Sequence, residues 1–292
     1  TQWTNTEGRP LTMPSGEALV AAEACRSADA EDWVGIAPGP GSGGSAEGLR
    51  SAAAAKRWRR AGLSEHASVA SFSRASLELM AVGAPSYLLK AVHMAALDEI
   101  RHARDAFALA RLFGDTRGGA GALPLPASLE VSSSLPEIAA RTFREGCLSE
   151  TWAAARAWLE LAGEAAEGPA AEALRTVAKD EARHAALAWR TVAWALDQGN
   201  ASVAQHLAAE RAAASAGAEV GDRLRGLVVR AMVLPWTDAL LQEGAQRWAL
   251  PAPQGLAGLE GQAMRGASEA IAAAVGSMGP GGDAAGSRAD RV

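Results

Sequence analysis

The sequence predicts an all-α fold: a four-helix bundle with a long crossover between helices two and three, followed by additional C-terminal helices. Three observations carry this expectation. Apolar residues recur at steps of three and four over long stretches, the spacing of one helix face. Alanine is abundant and β-branched residues are sparse, which favours helix over strand. Glycine and proline punctuate the ends of the four long periodic stretches, at Gly83, Gly114, Pro136, Pro169 and Gly199.

Residues 1–45 read as an irregular segment. They end in the run Pro38-Gly39-Pro40-Gly41-Ser42-Gly43-Gly44-Ser45, a flexible-linker composition. The bundle is expected over 46–200. Its first helix runs from about Gly48 to Val82 and stops at Gly83, and its second from Ser86 to Phe113. The third runs from Leu135 to Glu164 with Pro136 in its first turn, and the fourth from Pro169 to Gln198, before Gly199. Short turns join helix one to two and three to four, which makes two antiparallel hairpins. The stretch 114–134 is instead rich in Gly, Pro and Ser. Fully extended, it reaches roughly 65–75 Å, more than the ~42 Å length of a 28-residue helix. It is long enough to cross the whole bundle. Over 201–276 a helical extension is expected, with helices at 201–216, 222–248 (interrupted near Pro235) and 257–275; a disordered tail is expected over 277–292.

Composition excludes several classes. A net charge of −5 argues against nucleic acid as the main partner. No uncharged apolar run reaches the ~18–20 residues of a membrane span. Two cysteines, Cys25 and Cys147, cannot build a disulfide framework or a four-cysteine metal site. The basic cluster Lys56-Arg57-Trp58-Arg59-Arg60 reads as a solvated helix face. Cytoplasmic location is the expectation, or export if a signal segment was removed before Thr1.

The chemistry lies in a duplicated motif. Leu63-Ser64-Glu65 recurs as Leu148-Ser149-Glu150, and Asp98-Glu99-Ile100-Arg101-His102 as Asp180-Glu181-Ala182-Arg183-His184. In each hairpin the lone Glu and the Glu-x-x-His lie at similar distances from the turn, so they come level. The apolar stripes also pass through these positions. Trp58, Ala61, Glu65, Ser68 and Phe72 share one face of helix one; Ala95, Glu99, His102 and Ala106 share one face of helix two. Phe143, Cys147, Glu150, Ala154 and Ala157 do so on helix three, and Leu174, Val177, Glu181, His184 and Ala188 on helix four. Four carboxylates and two imidazoles therefore replace apolar residues in the seam. Each uncompensated buried ion costs several kcal/mol. Two divalent ions with four Glu⁻ and two neutral His sum to zero charge. Mixed oxygen and imidazole donors suit iron or manganese.

With these residues in place, the segment from about 48 to 198 resembles the ferritin-like di-iron carboxylate superfamily. The fuller Asp-Glu-x-Arg-His, present twice, is closest to its oxygen-activating oxidase and oxygenase branch. The resemblance implies Glu65, Glu99, His102, Glu150, Glu181 and His184 as metal ligands and catalytic centre. It implies two Fe ions, or Mn or a mixed pair, with O2 as co-substrate. By the same analogy Asp98 and Asp180 take the outer N–H of a ligand His, each from the other hairpin, and Arg101 and Arg183 pair with those aspartates. Glu145 is a second carboxylate on helix three, but it lies about 140° round the helix from Glu150, and Glu150 is preferred. Ser68, Phe72, Cys147 and Thr151 border the ligand positions and are candidate pocket residues, although such residues more often serve packing.

The function expected from this set is an O2-dependent oxidase or monooxygenase acting on a small organic substrate. No flavin or nicotinamide fingerprint is present, so an external electron-donor protein is expected. A homodimer is compatible with the sequence. The alternative is an iron-binding ferroxidase or storage protein with no organic substrate; a third reading is a scaffold stapled by its site. Two cysteines exclude a built-in four-cysteine iron site, and Tyr87 lies ~18 Å along the helix from Glu99, too far for a radical tyrosine beside the metals.

Overall fold

A computed structural model describes residues 9, 11, 19–21, 31–35, 51–164, 167–198, 201–220 and 222–244. Among the described residues the regular elements are all helices, and none is long and apolar enough to cross a membrane. Helix α1 spans Ala52–Ala81 and α2 spans Ser86–Leu112. Helix α3 runs as Leu135–Thr142, a π-helical stretch Phe143–Leu148, and Ser149–Gly163. Helix α4 spans Pro169–Asp197 and α5 spans Ala201–Val220. Helix α6 runs as Arg223–Val228, a π-helical stretch Val229–Val233, and Leu234–Gly244.

Local chemistry sets the ends. The Ser51 side chain accepts from the Ala54 N–H at 3.3 Å, capping α1. Gly83 turns the chain out of α1 with φ +70°, a conformation that costs glycine nothing. Pro136 and Pro169 sit in the first turns of α3 and α4, where a missing N–H is harmless.

The stretch between α2 and α3 runs alongside α1. Near one end of that helix Arg59 donates to the Gly118 carbonyl at 2.8 Å. Near the other, Glu78 accepts from the Ser132 N–H at 3.3 Å. Those two anchors lie ~28 Å apart along the helix axis. The connection thus travels most of the length of α1, as its composition and length suggested.

Two apolar clusters flank a polar centre. On one side Phe72 and Leu79 of α1 pack with Leu88 and Val92 of α2 and Leu187 of α4. On the other, Trp58 of α1 packs with Ala106 and Leu109 of α2 and Leu174 of α4. A third cluster joins Phe143, Cys147 and Leu148 of α3 and Trp189 and Val192 of α4 to Val203 and Leu207 of α5 and Val229 and Val233 of α6. Helices α5 and α6 therefore cover the α3–α4 face.

Several expectations change. Helix three is not a uniform α-helix, because its middle turn widens to π-helix. That turn carries Gly146, where an added Cβ would stand 2.4 Å from the Ala188 Cβ of α4. The interruption expected near Pro235 takes the form of a π-helical stretch, Val229–Val233, directly before the segment that carries the proline. Helix α5 continues four residues beyond the expected end at 216, to Val220. The basic cluster is not wholly solvated: Arg59 is 3% exposed and lies 3.5 Å from Asp115, and Trp58 is buried.

The described part of the N-terminal segment is packed rather than loose. The Arg9 N–H donates to Ser68 Oγ at 3.1 Å, its guanidinium lies 5.0 Å from the Phe72 ring centroid, and Leu11 is fully buried. Trp33 meets His66 edge-on at 4.7 Å. The linker run 38–45, the 257–275 helix and the 277–292 tail lie outside the described residues.

Replacing Gly146 by Ala should cost about 1–3 kcal/mol of stability through overpacking. Urea denaturation measures the loss, and Ala188→Gly in the same chain should recover most of it.

Candidate metal centre

Each hairpin presents one carboxylate from its first helix and a Glu-x-x-His from its second. Glu65 comes from α1, Glu99 and His102 from α2, Glu150 from α3, and Glu181 and His184 from α4. None of the six is more than 5% exposed. They form two interlocking groups whose potential ligand atoms lie within 4.8 Å of one another. One is Glu65, Glu99, His102 and Glu181; the other is Glu99, Glu150, Glu181 and His184. Glu99 and Glu181 belong to both. Glu65 with His102 completes one half and Glu150 with His184 the other.

The imidazoles are oriented from outside. His102 Nε2 lies 3.0 Å from Asp180 Oδ2, and His184 Nε2 lies 3.3 Å from Asp98 Oδ2. Each histidine on one hairpin is thus held by the aspartate of the other. Their Nδ1 atoms face inward. His102 Nδ1 stands 3.7 Å from Glu99 and 3.6 Å from Glu181. His184 Nδ1 stands 3.1 Å from Glu99 and 3.8 Å from Glu181. A carboxylate on the outer nitrogen fixes the tautomer and raises the basicity of the inner one, the arrangement metal-binding histidines require.

The arginines close this outer layer. Arg101 bonds both Asp98, at 2.9 Å, and Asp180. Arg183 reaches Asp98 at 3.0 Å and Asp180 at 2.7 Å. The two aspartates and two arginines make a closed ring between α2 and α4. Both aspartate carboxyls are pulled below their usual range against the effect of burial, by the histidine and arginine groups that face them.

The donor atoms test whether metal ions fit. Nine buried atoms of the six residues have no hydrogen-bond partner: one oxygen of Glu65, both of Glu99, Glu150 and Glu181, and the Nδ1 of each histidine. Buried polar atoms are almost always satisfied. These nine converge on one place and are all good ligands for a hard or borderline divalent ion. Two such ions fit this donor set and cancel its charge.

Without metal, protons must do that work. Burial, reinforced by the neighbouring carboxylates, pushes Glu65 and Glu150 well up. Burial also pushes Glu99 and Glu181 up, but the two imidazoles close to both, and Glu150 beside Glu181, outweigh it and hold both below the ordinary value. Burial opposes charging His102 and His184, yet the aspartate and glutamate groups around them raise both well above the usual imidazole range. Two neutral carboxyls, two carboxylates and two imidazoliums again sum to zero.

The remaining candidate residues take other roles. Glu145, carried on the π-helical turn, points away to Arg74 at 2.5 Å and to Arg9 at 3.6 Å. Ser68 donates to the Ser64 carbonyl and anchors Arg9. Phe72 packs its ring edge-on against His184, with centroids 5.2 Å apart. Cys147 is fully buried in the α3–α4 core and its thiol is pushed up by burial. Thr151 is buried beside Glu150. None of these four candidate pocket residues lines the cavity that does reach the centre. That cavity, about 60 Å³, touches Glu65, His102 and Glu181 and lies between Trp58, Ala61, Ala106, Trp152, Ala157 and Val177. Helices α5 and α6 contribute nothing to its walls, so they do not shape its entrance. The signal for it was in the stripes: Ala61 and Ala106 are small residues about one turn from a ligand, and Ala157 lies about two turns from Glu150 on a third helix. The chain matches no protein-family model, no curated protein and no solved structure.

Two outcomes are expected. Asp180→Asn and Asp98→Asn should each weaken metal binding by about 10–100-fold, measured by competition with a chromophoric chelator. Loading two Mn2+ per chain should release protons, approaching four at mildly acidic pH and fewer as pH rises through the raised values of His102, His184, Glu65 and Glu150. The apparent affinity should fall as pH falls, since ligands bind metal deprotonated. Titration in weakly buffered solution reads both.

Proposed function

We propose that the chain is a ferritin-like, non-haem di-iron oxidase or monooxygenase that uses O2 to oxidise a small organic substrate. The observation that carries this reading is the convergence of nine unpartnered ligand atoms from two equivalent hairpins. Two hairpins joined by a crossover that follows α1 fit a ferritin-like bundle. When bound, two iron ions supply the O2 activation and electron transfer. The chain's own residues do the rest. Glu99 and Glu181 belong to both ligand groups, Glu65 and His102 to one and Glu150 and His184 to the other, and these six residues would hold the ions. Asp180 and Asp98 hold the imidazoles in register, and Arg101 and Arg183 hold the aspartates. Phe72, Leu79 and Val92 keep water from one side. The cavity on the Glu65–His102 side gives a small molecule its approach. Manganese, alone or paired with iron, suits the same donors. Electrons come from a separate protein.

Anaerobic Fe2+ titration should saturate at about two ions per chain, as expected for a centre of this class. Exposure to O2 should then change the optical spectrum, and O2 uptake should depend on reductant and substrate. Glu99→Ala with Glu181→Ala should lose both ions. Uptake of far more iron into a large assembly would instead identify a storage protein, and binding of only trace metal overturns the reading.

A further inference from the structure

The cavity meets only half of the centre. Its walls include Glu65, His102 and Glu181, but not Glu150 or His184. On the far side Phe72 packs against His184 and closes that half. The two halves are therefore unequal, and a molecule entering from the cavity meets the Glu65–His102 half first.

The cavity is small. Its volume of about 60 Å³ gives room for about five water-sized groups. Most of its walls are apolar, formed by Trp58, Ala61, Ala106, Trp152, Leu174 and Val177. Four charged side chains line it besides the ligands: Arg57, Asp105, Arg156 and Glu160. Three of these are tied to one another or to a neighbour. Arg156 bonds Glu160 at 2.8 Å, and Arg57 bonds Glu164 at 2.9 Å and approaches Glu160 at 3.9 Å. Asp105 has no ion pair among the described residues. It stands one turn from His102 on α2, facing the same space. Burial pushes its carboxyl up, and His102, Arg101 and Arg104 only partly offset this. A carboxylate in a largely apolar recess, with Arg57, Arg101 and Arg156 already engaged by other carboxylates, gains most from a cation.

We propose that this cavity binds a small organic cation, an amine on a compact apolar body, with Asp105 receiving the ammonium group and the body lying between Trp58 and Trp152. The assignment rests on the di-metal reading for its place beside the reacting centre, but its binding chemistry is separable. It names a substrate class: a compact aliphatic or monocyclic amine, in preference to the matching alcohol or carboxylate.

The test uses the whole chain, with and without two Mn2+, and three probes of one shape: cyclopentylamine, cyclopentanol and cyclopentanecarboxylate. Calorimetry should show the amine binding about tenfold more tightly than the alcohol, the range of one hydrogen bond to a charged group. The carboxylate should bind worst. Asp105→Asn should bring amine and alcohol within about twofold, and Ala61→Phe, which fills the cavity, should abolish binding of all three. In the manganese-loaded protein, relaxation of the amine's ring protons by Mn2+ should report its nearness and vanish in the Ala61→Phe chain. Equal binding of amine and alcohol, or an amine preference that survives Asp105→Asn, overturns the proposal. Metal content of the same samples reports on the centre itself. Chains that hold two Mn2+ but show no amine preference refute the cavity assignment alone. Chains that hold no Mn2+ refute the centre, while calorimetry still decides the amine site.

Discussion

Six ligand-type side chains buried in one helical seam must have their charge balanced within a few ångströms, and the architecture is organised around that balance. A lone buried carboxylate would protonate or unfold its surroundings. Four of them stand beside two imidazoles, and burial and mutual repulsion push two of the four carboxyls toward the neutral form while their neighbours favour charge on the imidazoles. Everything next to the cluster is consistent with holding the six in place. An apolar layer around Phe72, Leu79 and Val92 closes one side, and the ring of Asp98, Arg101, Asp180 and Arg183 fixes the imidazoles. Strain from losing either support would fall directly on the ligands.

The second charged assembly in the interior is of another kind. Glu145 is buried against Arg74, Arg9 and Ser71, so its charge is met by ordinary protein partners. It sits on the widened turn of α3 that brings Gly146 against Ala188. Helix three sends Glu150 to the centre, while Glu145, carried on the π-helical turn, goes to the arginines. The same arginine cluster anchors the N-terminal segment, since Arg9 reaches it across Phe72. The segment's attachment and the packing beside His184 therefore share residues.

The helices and their ends were legible in the sequence because periodicity, Ser51, Gly83 and the early prolines are local signals. The convergence of Glu65, Glu99, His102, Glu150, Glu181 and His184 was legible because the motif occurs twice at matched levels. What could not be read depends on contacts between distant segments. The π-helical turn of α3 carries Gly146 against Ala188 of α4, a contact between helices that no local pattern announces. The burial of Arg59 depends on Asp115 and Gly118 of the crossover. The seating of Arg9 and Leu11 depends on an α1 surface that composition does not reveal. The cavity was half visible: the alanines of the stripes mark where the seam is thin, but only their alignment in space turns them into a void. Ser68 and Cys147 were plausible neighbours by spacing and packing directs them elsewhere, whereas Phe72 does border the centre, at His184.

The crossed pairing of His102 with Asp180 and His184 with Asp98 has the logic of an isologous contact, in which residue i of one unit meets j of the other and j meets i. The two hairpins stand to each other as the subunits of a symmetric dimer do. Neither can complete its own centre, because each depends on the other for an imidazole support and for a shared carboxylate. The stretch laid along α1 makes this association intramolecular. It replaces a dilution-dependent encounter with a fixed effective concentration. It also frees the halves to diverge: one keeps an opening lined with alanines, and the other is closed by Phe72.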